Sequence, residues 1–336
     1  MVEYGLISLA DHLADPVTGE RVSQRQRLIE IVDQIVLAES LGIPLFGVGE
    51  HHFGNYILPS PELVLAMAAG RTTHITLGTS VSLLANVDPV RYAEKLSVLD
   101  VLSNGRAEAV FARGASERTA EAFGIHSFDE LRPRFDESLR LVLRLLSEDE
   151  VTWDGEYRTG LDGVRIEPRA VQKPYPTMWV GGGLSNVSAD LAADLGLPLM
   201  LPSLFRWPSD YVDIANRYRE RSQANGFRPR VGFPSYLHVA KTSQEAKARW
   251  QPRLEYYSEF AMEIRGAFGR PTDFDSLLLG PALCGSPAEV AERIGEINRE
   301  LSLDRHQFLI DVGGLPYPIV AEVLELLATE VLPQVP

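Results

Sequence analysis

Apolar positions along this chain switch repeatedly between two periods. Residues 4–9 form a short apolar run of strand type, and 24–41 place apolar residues at helical spacing up to the terminator Gly42. The pair recurs three more times: a strand over 44–48 with a helix over 61–69, a strand over 75–79 with a helix over 88–102, and a strand over 106–111 with a helix over 130–146. Ser60 and Pro61 supply a cap and a first-turn proline to the second helix. Alternation of this kind predicts parallel strands joined by right-handed crossovers.

The pattern loosens over 151–165, where Asp154-Gly155 and Asp162-Gly163 predict a hairpin excursion. It resumes with strands over 177–180, 197–201, 231–240 and 307–312, and helices over 185–195, 209–225, 286–301 and 317–331. Ser286-Pro287-Ala288-Glu289 has the form of a capping box. Residues 244–268 read as helix and the following stretch to Cys284 as irregular. Eight strands, mostly followed by helices, predict an α/β fold: a (β/α)8 TIM-type barrel with an insertion after strand seven. A doubly wound open sheet is the second arrangement that fits. With no repeat or low-complexity linker, 1–336 reads as one domain, and 241–284 as an insertion that forms a lid.

Composition narrows the class of partner. A net charge of −14 disfavours nucleic acid and anionic membrane, although a local basic pocket remains compatible with it. A single cysteine, Cys284, excludes an intramolecular disulfide framework and fits a reducing cytosol, so a cytoplasmic location is expected. No signal-peptide pattern opens the sequence, and nowhere do about 18 uncharged apolar residues run together.

In a barrel the C-terminal strand ends share one rim. That rim would carry Glu50 and His51 after strand two, Thr79-Ser80 at strand three, Arg113-Gly114 at strand four, Gly181-Gly182-Gly183-Leu184-Ser185 at strand five and Gly313-Gly314 at strand eight. A His-His pair alone equally suits a solvated turn, and a lone glycine triplet a flexible one. Together with Ser185 and Ser188 in a first helical turn and Arg113 on a neighbouring strand end, the triplet predicts an anion site: glycine admits close approach, helix N-termini present free N–H donors, and guanidinium adds a forked cation. Arg132 and Arg134 fit a solvated helix start as well as a pocket. An acidic ribose partner about 20 residues after the glycines is missing, which disfavours a nicotinamide site. The aromatics Trp207, Phe233, Tyr236, Tyr256, Tyr257 and Phe260 could line an apolar site or fill core. No metal is expected, because adjacent His51 and His52 on an extended segment point to opposite sides and the other histidines are scattered.

The motifs Val48-Gly49-Glu50-His51-His52-Phe53, Leu77-Gly78-Thr79-Ser80-Val81, Asp88-Pro89-Val90-Arg91, Leu99 through Arg106, Trp179-Val180-Gly181-Gly182-Gly183, Gly285-Ser286-Pro287 and Gly313-Gly314-Leu315-Pro316 resemble, in order, those of the bacterial luciferase-like flavin-dependent monooxygenases. The resemblance implies a dimeric barrel that takes reduced FMN from a separate flavin reductase, adds dioxygen to the flavin and oxygenates a small organic substrate through the peroxyflavin. It implies His51, with Glu50, as the catalytic group; Arg113, Arg132, Ser185 and Ser188, with Gly182 and Gly183, as the phosphate site; and Thr79, Ser80 and Val81 beneath the flavin ring, with a cis Ser80–Val81 bond. Ala112 stands where the luciferases carry a reactive cysteine, so aldehyde-dependent light emission is not expected. Two alternatives stay open: hydride transfer with a deazaflavin coenzyme on the same fold, and non-enzymatic flavin binding.

Overall fold

The computed structural model describes residues 2–114, 116–183, 185–202, 206–265 and 273–336, with backbone alone at 262–265. Leu184, the end of the helix expected over 244–268 and the residues just after it lie outside the described residues.

The first strands and helices are β1 (Glu3–Ser8), α1 (Gln24–Ser40), β2 (Leu45–Val48), α2 (Pro61–Ala69), β3 (Thr76–Leu83), α3 (Pro89–Leu102) and β4 (Ala107–Ala112). There follow α4 (Glu117–Ala122), α5 (Leu131–Ser147), the antiparallel hairpin β5 (Val151–Trp153) and β6 (Leu161–Val164), then β7 (Thr177–Gly181), α6 (Asn186–Leu195), β8 (Leu199–Met200) and α7 (Val212–Ala224). The chain closes with β9 (Val231–Val239), α8 (Ser243–Arg265), α9 (Phe274–Leu278), β10 (Ala282–Gly285), α10 (Pro287–Leu301), β11 (Arg305–Leu309) and α11 (Tyr317–Leu326). Eight parallel strands in the order β9-β11-β1-β2-β3-β4-β7-β8 close back onto β9, so the fold is the (β/α)8 barrel and not the open sheet.

Two expectations are corrected and one element is added. The last barrel strand is Arg305–Leu309, two residues earlier than the apolar run 307–312 suggested, because Arg305 and His306 pair in the ladder while their side chains are buried in polar company. The stretch expected to be irregular holds α9 and a ninth parallel strand, β10, which pairs with the upper half of β9. A short helix, α4, precedes α5, capped by Ser116, whose hydroxyl accepts the Thr119 N–H.

Strand alternation separates two interiors. Phe46 and Val48 of β2 belong to the layer between strands and helices, with Ile31, Leu65 and Leu96 from the helices; burying each such side chain contributes about 1.5–3 kcal/mol. Gly47 and Gly49 face the lumen instead, where a Cβ on Gly47 would lie 2.7 Å from that of Ser80. Arg305 of β11 binds Glu108 of β4, four strands away in either direction round the cylinder, so this ion pair spans the lumen. Trp179 of β7 lies between the guanidiniums of Arg305 (4.3 Å) and Arg230 (4.8 Å). A second apolar cluster closes one side of the C-terminal mouth: Ile7, Leu9, Tyr236 and Leu309 from the strands meet Trp250, Leu254 and Tyr257 of α8 and Phe274 of α9.

Candidate active site

The rim residues divide into two groups. On the side of β2, β3, β4 and β7, the chain leaves β2 extended, and the Glu50 N–H donates to the Val81 carbonyl (2.9 Å). Both carboxylate oxygens of Glu50 are engaged: Oε2 accepts the Leu83 N–H (2.9 Å) and Oε1 lies 2.7 Å from His52 Nε2. Glu50 therefore pairs with His52, not with its catalytic candidate neighbour His51. Residues two apart on an extended segment share a face, which the spacing Glu50-His51-His52 already encodes. His52 turns its ring edge to Phe123 (4.8 Å), while the His51 imidazole goes the other way and stacks on Tyr56, 4.0 Å between centroids and 15° off parallel.

The floor of this side is β3. The Ser80–Val81 bond is cis, as the resemblance implied. Thr79 turns outward, its hydroxyl 3.2 Å from that of Tyr92 on α3, so it steadies the strand from behind and does not reach the mouth. Val81 packs on Val110, Trp179 and Met200.

Beside the floor, two guanidiniums converge. Arg132 on the first turn of α5 donates through Nη2 to Ser188 Oγ (3.1 Å), which joins α5 to α6. Its Nη1, buried, lies 3.8 Å from Asp136 Oδ1 and has no hydrogen-bond partner. Arg113, after β4, rests on the Phe128 ring (4.8 Å), and its pKa is pushed down first by burial and then by the charge of Arg132. A guanidinium whose proton is loosened by a neighbouring cation favours an anion beside it. The N-terminus of α6 completes the cradle: Ser185 caps it without spending its hydroxyl on the helix, and no acid occupies the first turn. A Cβ on Gly181 would crowd the Phe111 carbonyl at 3.0 Å and one on Gly182 the Met200 carbonyl at 3.3 Å, so packing asks for both glycines. A Cβ on Gly183 would meet nothing within 4 Å among the described residues.

On the side of β1, β9 and β11, Arg27 and Arg253, both buried, each have a carboxylate at close range, although Arg253 Nε has no hydrogen-bond partner. Arg27 of α1 donates to Asp311 Oδ2 (2.8 Å) and lies 3.7 Å from Asp11 Oδ1; all three residues are buried. Burial chiefly, and Asp311 to a lesser degree, raise the Asp11 carboxyl to about 6 against the pull of Arg27. Arg253 of α8 donates to Asp15 (2.8 Å) and seats α8 on the rim. Nothing in the local sequence announced this network, since its members lie 16 to 284 positions apart. Of the six aromatics singled out, Tyr236, Tyr257 and Phe260 gather here; Phe233 faces Tyr211 and His306 in the helix layer, and Trp207 and Tyr256 are exposed. Among the described residues no three of His, Cys, Asp or Glu are grouped to hold a metal, and no helix is long and apolar enough to cross a membrane.

A closed parallel barrel with two arginines and a glycine-led helix N-terminus at its C-terminal rim defines the class. The sequence profile described as luciferase-like monooxygenase matches residues 2–305, and the chain belongs to that family. It is 28% identical to limonene 1,2-monooxygenase of Rhodococcus erythropolis over 99% of this chain and 86% of that one, and 22% identical to the oxygenase component of flavin-dependent trigonelline monooxygenase of Acinetobacter baylyi over 94% and 92%. A match at 34% to protein y4vJ of Sinorhizobium fredii spans 47% of this chain, and thus only 45% of that relative. Among solved structures, the monooxygenase RslO1 of Streptomyces bottropensis superposes with a TM-score of 0.89 at 28% identity, covering 99% of each chain. The 3,6-diketocamphane monooxygenase oxygenating constituent of Pseudomonas putida, in complex with FMN, superposes at 0.83 and 22%, covering 100% and 99%. The coenzyme F420-dependent tetrahydromethanopterin reductase of Methanopyrus kandleri follows at 0.77 and 17%, again covering 100% and 99%, and shares the fold.

Proposed function

We propose that this protein is the oxygenase component of a two-component monooxygenase: it takes reduced FMN from a separate reductase and, with dioxygen, oxygenates a small neutral organic molecule. The observation that carries the reading is the buried, unsatisfied Arg132 N–H beside Arg113 at the N-terminus of α6. Family membership supports the redox class, and the trigonelline relative, named as an oxygenase component, supports a separate reductase. The apolar cluster under α8 and the relatives named for limonene and 3,6-diketocamphane support a compact, uncharged substrate.

Bound FMN would supply the dioxygen chemistry, and the residues of this chain divide the remaining work. Arg113, Arg132, Ser185, Ser188, Gly182 and Gly183 would hold the phosphate. Ser80 and Val81 would underlie the ring. His51 would donate or accept a proton at a ring nitrogen, held in plane by Tyr56, and Glu50 fixes the loop that carries it. The insertion over α8 would form the lid that selects the substrate.

Titration of the protein with oxidised and reduced FMN tests the assignment. Micromolar binding is expected. Arg113→Ala should weaken it by about 1.5–3 kcal/mol, or ten- to a hundredfold; equal affinity in the variant removes the cradle from the account. His51→Ala should keep the flavin and slow oxygenation by about 10²–10⁴-fold. The F420-dependent reductase of similar fold favours one rival, hydride transfer to a deazaflavin, which turnover without oxygen consumption would reveal. A homodimer through α2 and α3 is proposed as well, since Leu63, Met67, Val98, Val101 and Leu102 leave an exposed apolar stripe there. Leu102→Glu should shift the sedimentation mass to that of a monomer.

A further inference from the structure

We infer that Tyr257, on the helix that covers the mouth, is a positioning residue for His51 and acts through Tyr56. The inference rests on the functional reading above for its catalytic consequence, though not for its geometry.

His51 follows β2, and its candidate catalytic imidazole stacks nearly parallel on Tyr56. That ring is itself located from two directions. A backbone bridge ties Tyr56 to Asp11 beyond β1, and the Tyr56 hydroxyl lies 3.1 Å from that of Tyr257 in a buried pair. Phe260, one turn further along α8, tilts against the same Tyr56 ring at 5.2 Å. Tyr257 is in turn immobilised. It is wholly buried, it meets Tyr236 of β9 edge-on at 5.9 Å, and α8 is pinned one turn earlier by the buried Arg253–Asp15 ion pair.

Stacking alone lets a tyrosine ring slide across an imidazole at little cost, because offset aromatic pairs are shallow in energy. A hydrogen bond at the far end of the phenol removes that freedom. Two buried hydroxyls bound to each other fix the tilt of the Tyr56 ring, and the ring fixes the plane in which the His51 nitrogens act. Proton transfer depends on that plane, and displacements near 1 Å are felt in rate. The arrangement also explains why an aromatic residue of the insertion lies beside one in the segment after β2, 201 positions away in sequence. It makes α8 part of the catalytic geometry as well as a cover.

Tyr257→Phe and Tyr56→Phe each delete one hydroxyl and keep both rings. Two readouts decide. In the flavin-free protein labelled at histidine, the His51 Cε1 proton (assigned with His51→Gln) should sit upfield in wild type from the ring current of Tyr56, and should move toward its free position in either variant. In steady state each variant should lower kcat about tenfold with FMN affinity unchanged, and the double variant should lose no more than one single variant, since all three break the same bond. An unmoved resonance, an unchanged kcat, or additive losses in the double variant overturns the inference. If wild-type protein binds no FMN and consumes no dioxygen, the functional reading fails by itself, and the resonance alone decides whether Tyr257 holds His51.

Discussion

The two sides of the barrel mouth use the same side chains to opposite ends. Toward β1, β9 and β11 each buried guanidinium has its carboxylate: Arg27 has Asp311 and Asp11, and Arg253 has Asp15. Toward β4 and β7, Arg113 lies against a phenylalanine ring and Arg132 leaves one buried N–H unsatisfied at 3.8 Å from Asp136. A charge matched within the protein is scaffold, because the desolvation of both partners is already offset. Arg132 is held to Asp136 only at ion-pair distance, and beside glycines and a helix N-terminus its remaining N–H is the kind of donor an outside anion would use. Arginine content alone does not separate these roles; the inventory of acceptors around each arginine does.

The largest way to break the comparison is to make the scaffold side resemble the binding side. Arg27→Met removes the cation and leaves Asp11 and Asp311 facing each other in a dry site. Removing one partner of a buried pair costs about 3–5 kcal/mol, so urea unfolding should register a loss of that size. The protein that remains folded should bind FMN with wild-type affinity. Arg113→Ala, by contrast, should leave unfolding almost untouched and weaken FMN. If Arg27→Met proves neutral in stability, the division into scaffold and binding cations fails.

Much of the binding side was legible in the sequence, and the scaffold side was not. Strand–helix alternation is a local signal, and so are a glycine triplet followed by two serines and an acid two residues before a histidine. Those features predicted the barrel, which the structure has, and an anion cradle; the spacing of Glu50 and His52 carried their contact too, but chain order paired Glu50 with His51 instead. The Arg27–Asp311 pair joins positions 284 apart and has no local mark beyond an acid inside the apolar run Ile310-Asp311-Val312. β10 escaped for a related reason. Its four residues sit in a run, 277–284, too short and too evenly apolar to distinguish strand from helix, and only the free edge of β9 decides. Thr79 shows the converse: sequence order put it on the rim, while the pleat sends its side chain outward to Tyr92.

A smaller effect sharpens the contrast at the level of single glycines. Gly183→Ala adds a methyl group in open space, so thermal stability should stay within about 0.5 kcal/mol of wild type. If backbone approach to phosphate is what that position serves, FMN affinity should still fall about tenfold. Gly181→Ala pushes a methyl group to 3.0 Å from the Phe111 carbonyl and should lose stability outright, by about 1–3 kcal/mol. Calorimetry on both variants, with FMN titration of each, separates a glycine kept for packing from one kept for a ligand. Equal behaviour of the two would erase the distinction.

The gentlest test concerns pH, and its sign follows from which groups are buried neutral. His238, stacked on Trp250, and His306, between Ser235 and Asn298, are both lowered by burial from the ordinary 6.5 to about 3. Both are neutral in the fold and protonated in the unfolded chain between those limits, so their contribution is intact above 6.5 and is lost as pH falls toward 3. Asp11 acts the other way: raised by burial from 3.8 to about 6, it binds a proton in the fold where the unfolded chain does not, so it favours the fold as pH falls through that window. Between pH 4 and 6 two histidines oppose one aspartate. These three groups together take up one proton on unfolding and so contribute a decline of about 1.4 kcal/mol per unit of acidification, to which carboxylates lowered in the fold, Glu39 at about 2 among them, add at the acid end. Asp11→Asn removes the opposing group, so its urea midpoint should fall about twice as steeply over the same range. A slope unchanged by that substitution would mean that the Arg27 charge keeps Asp11 ionised throughout, and that the matched side of the mouth is as electrostatically inert to acid as a scaffold can be.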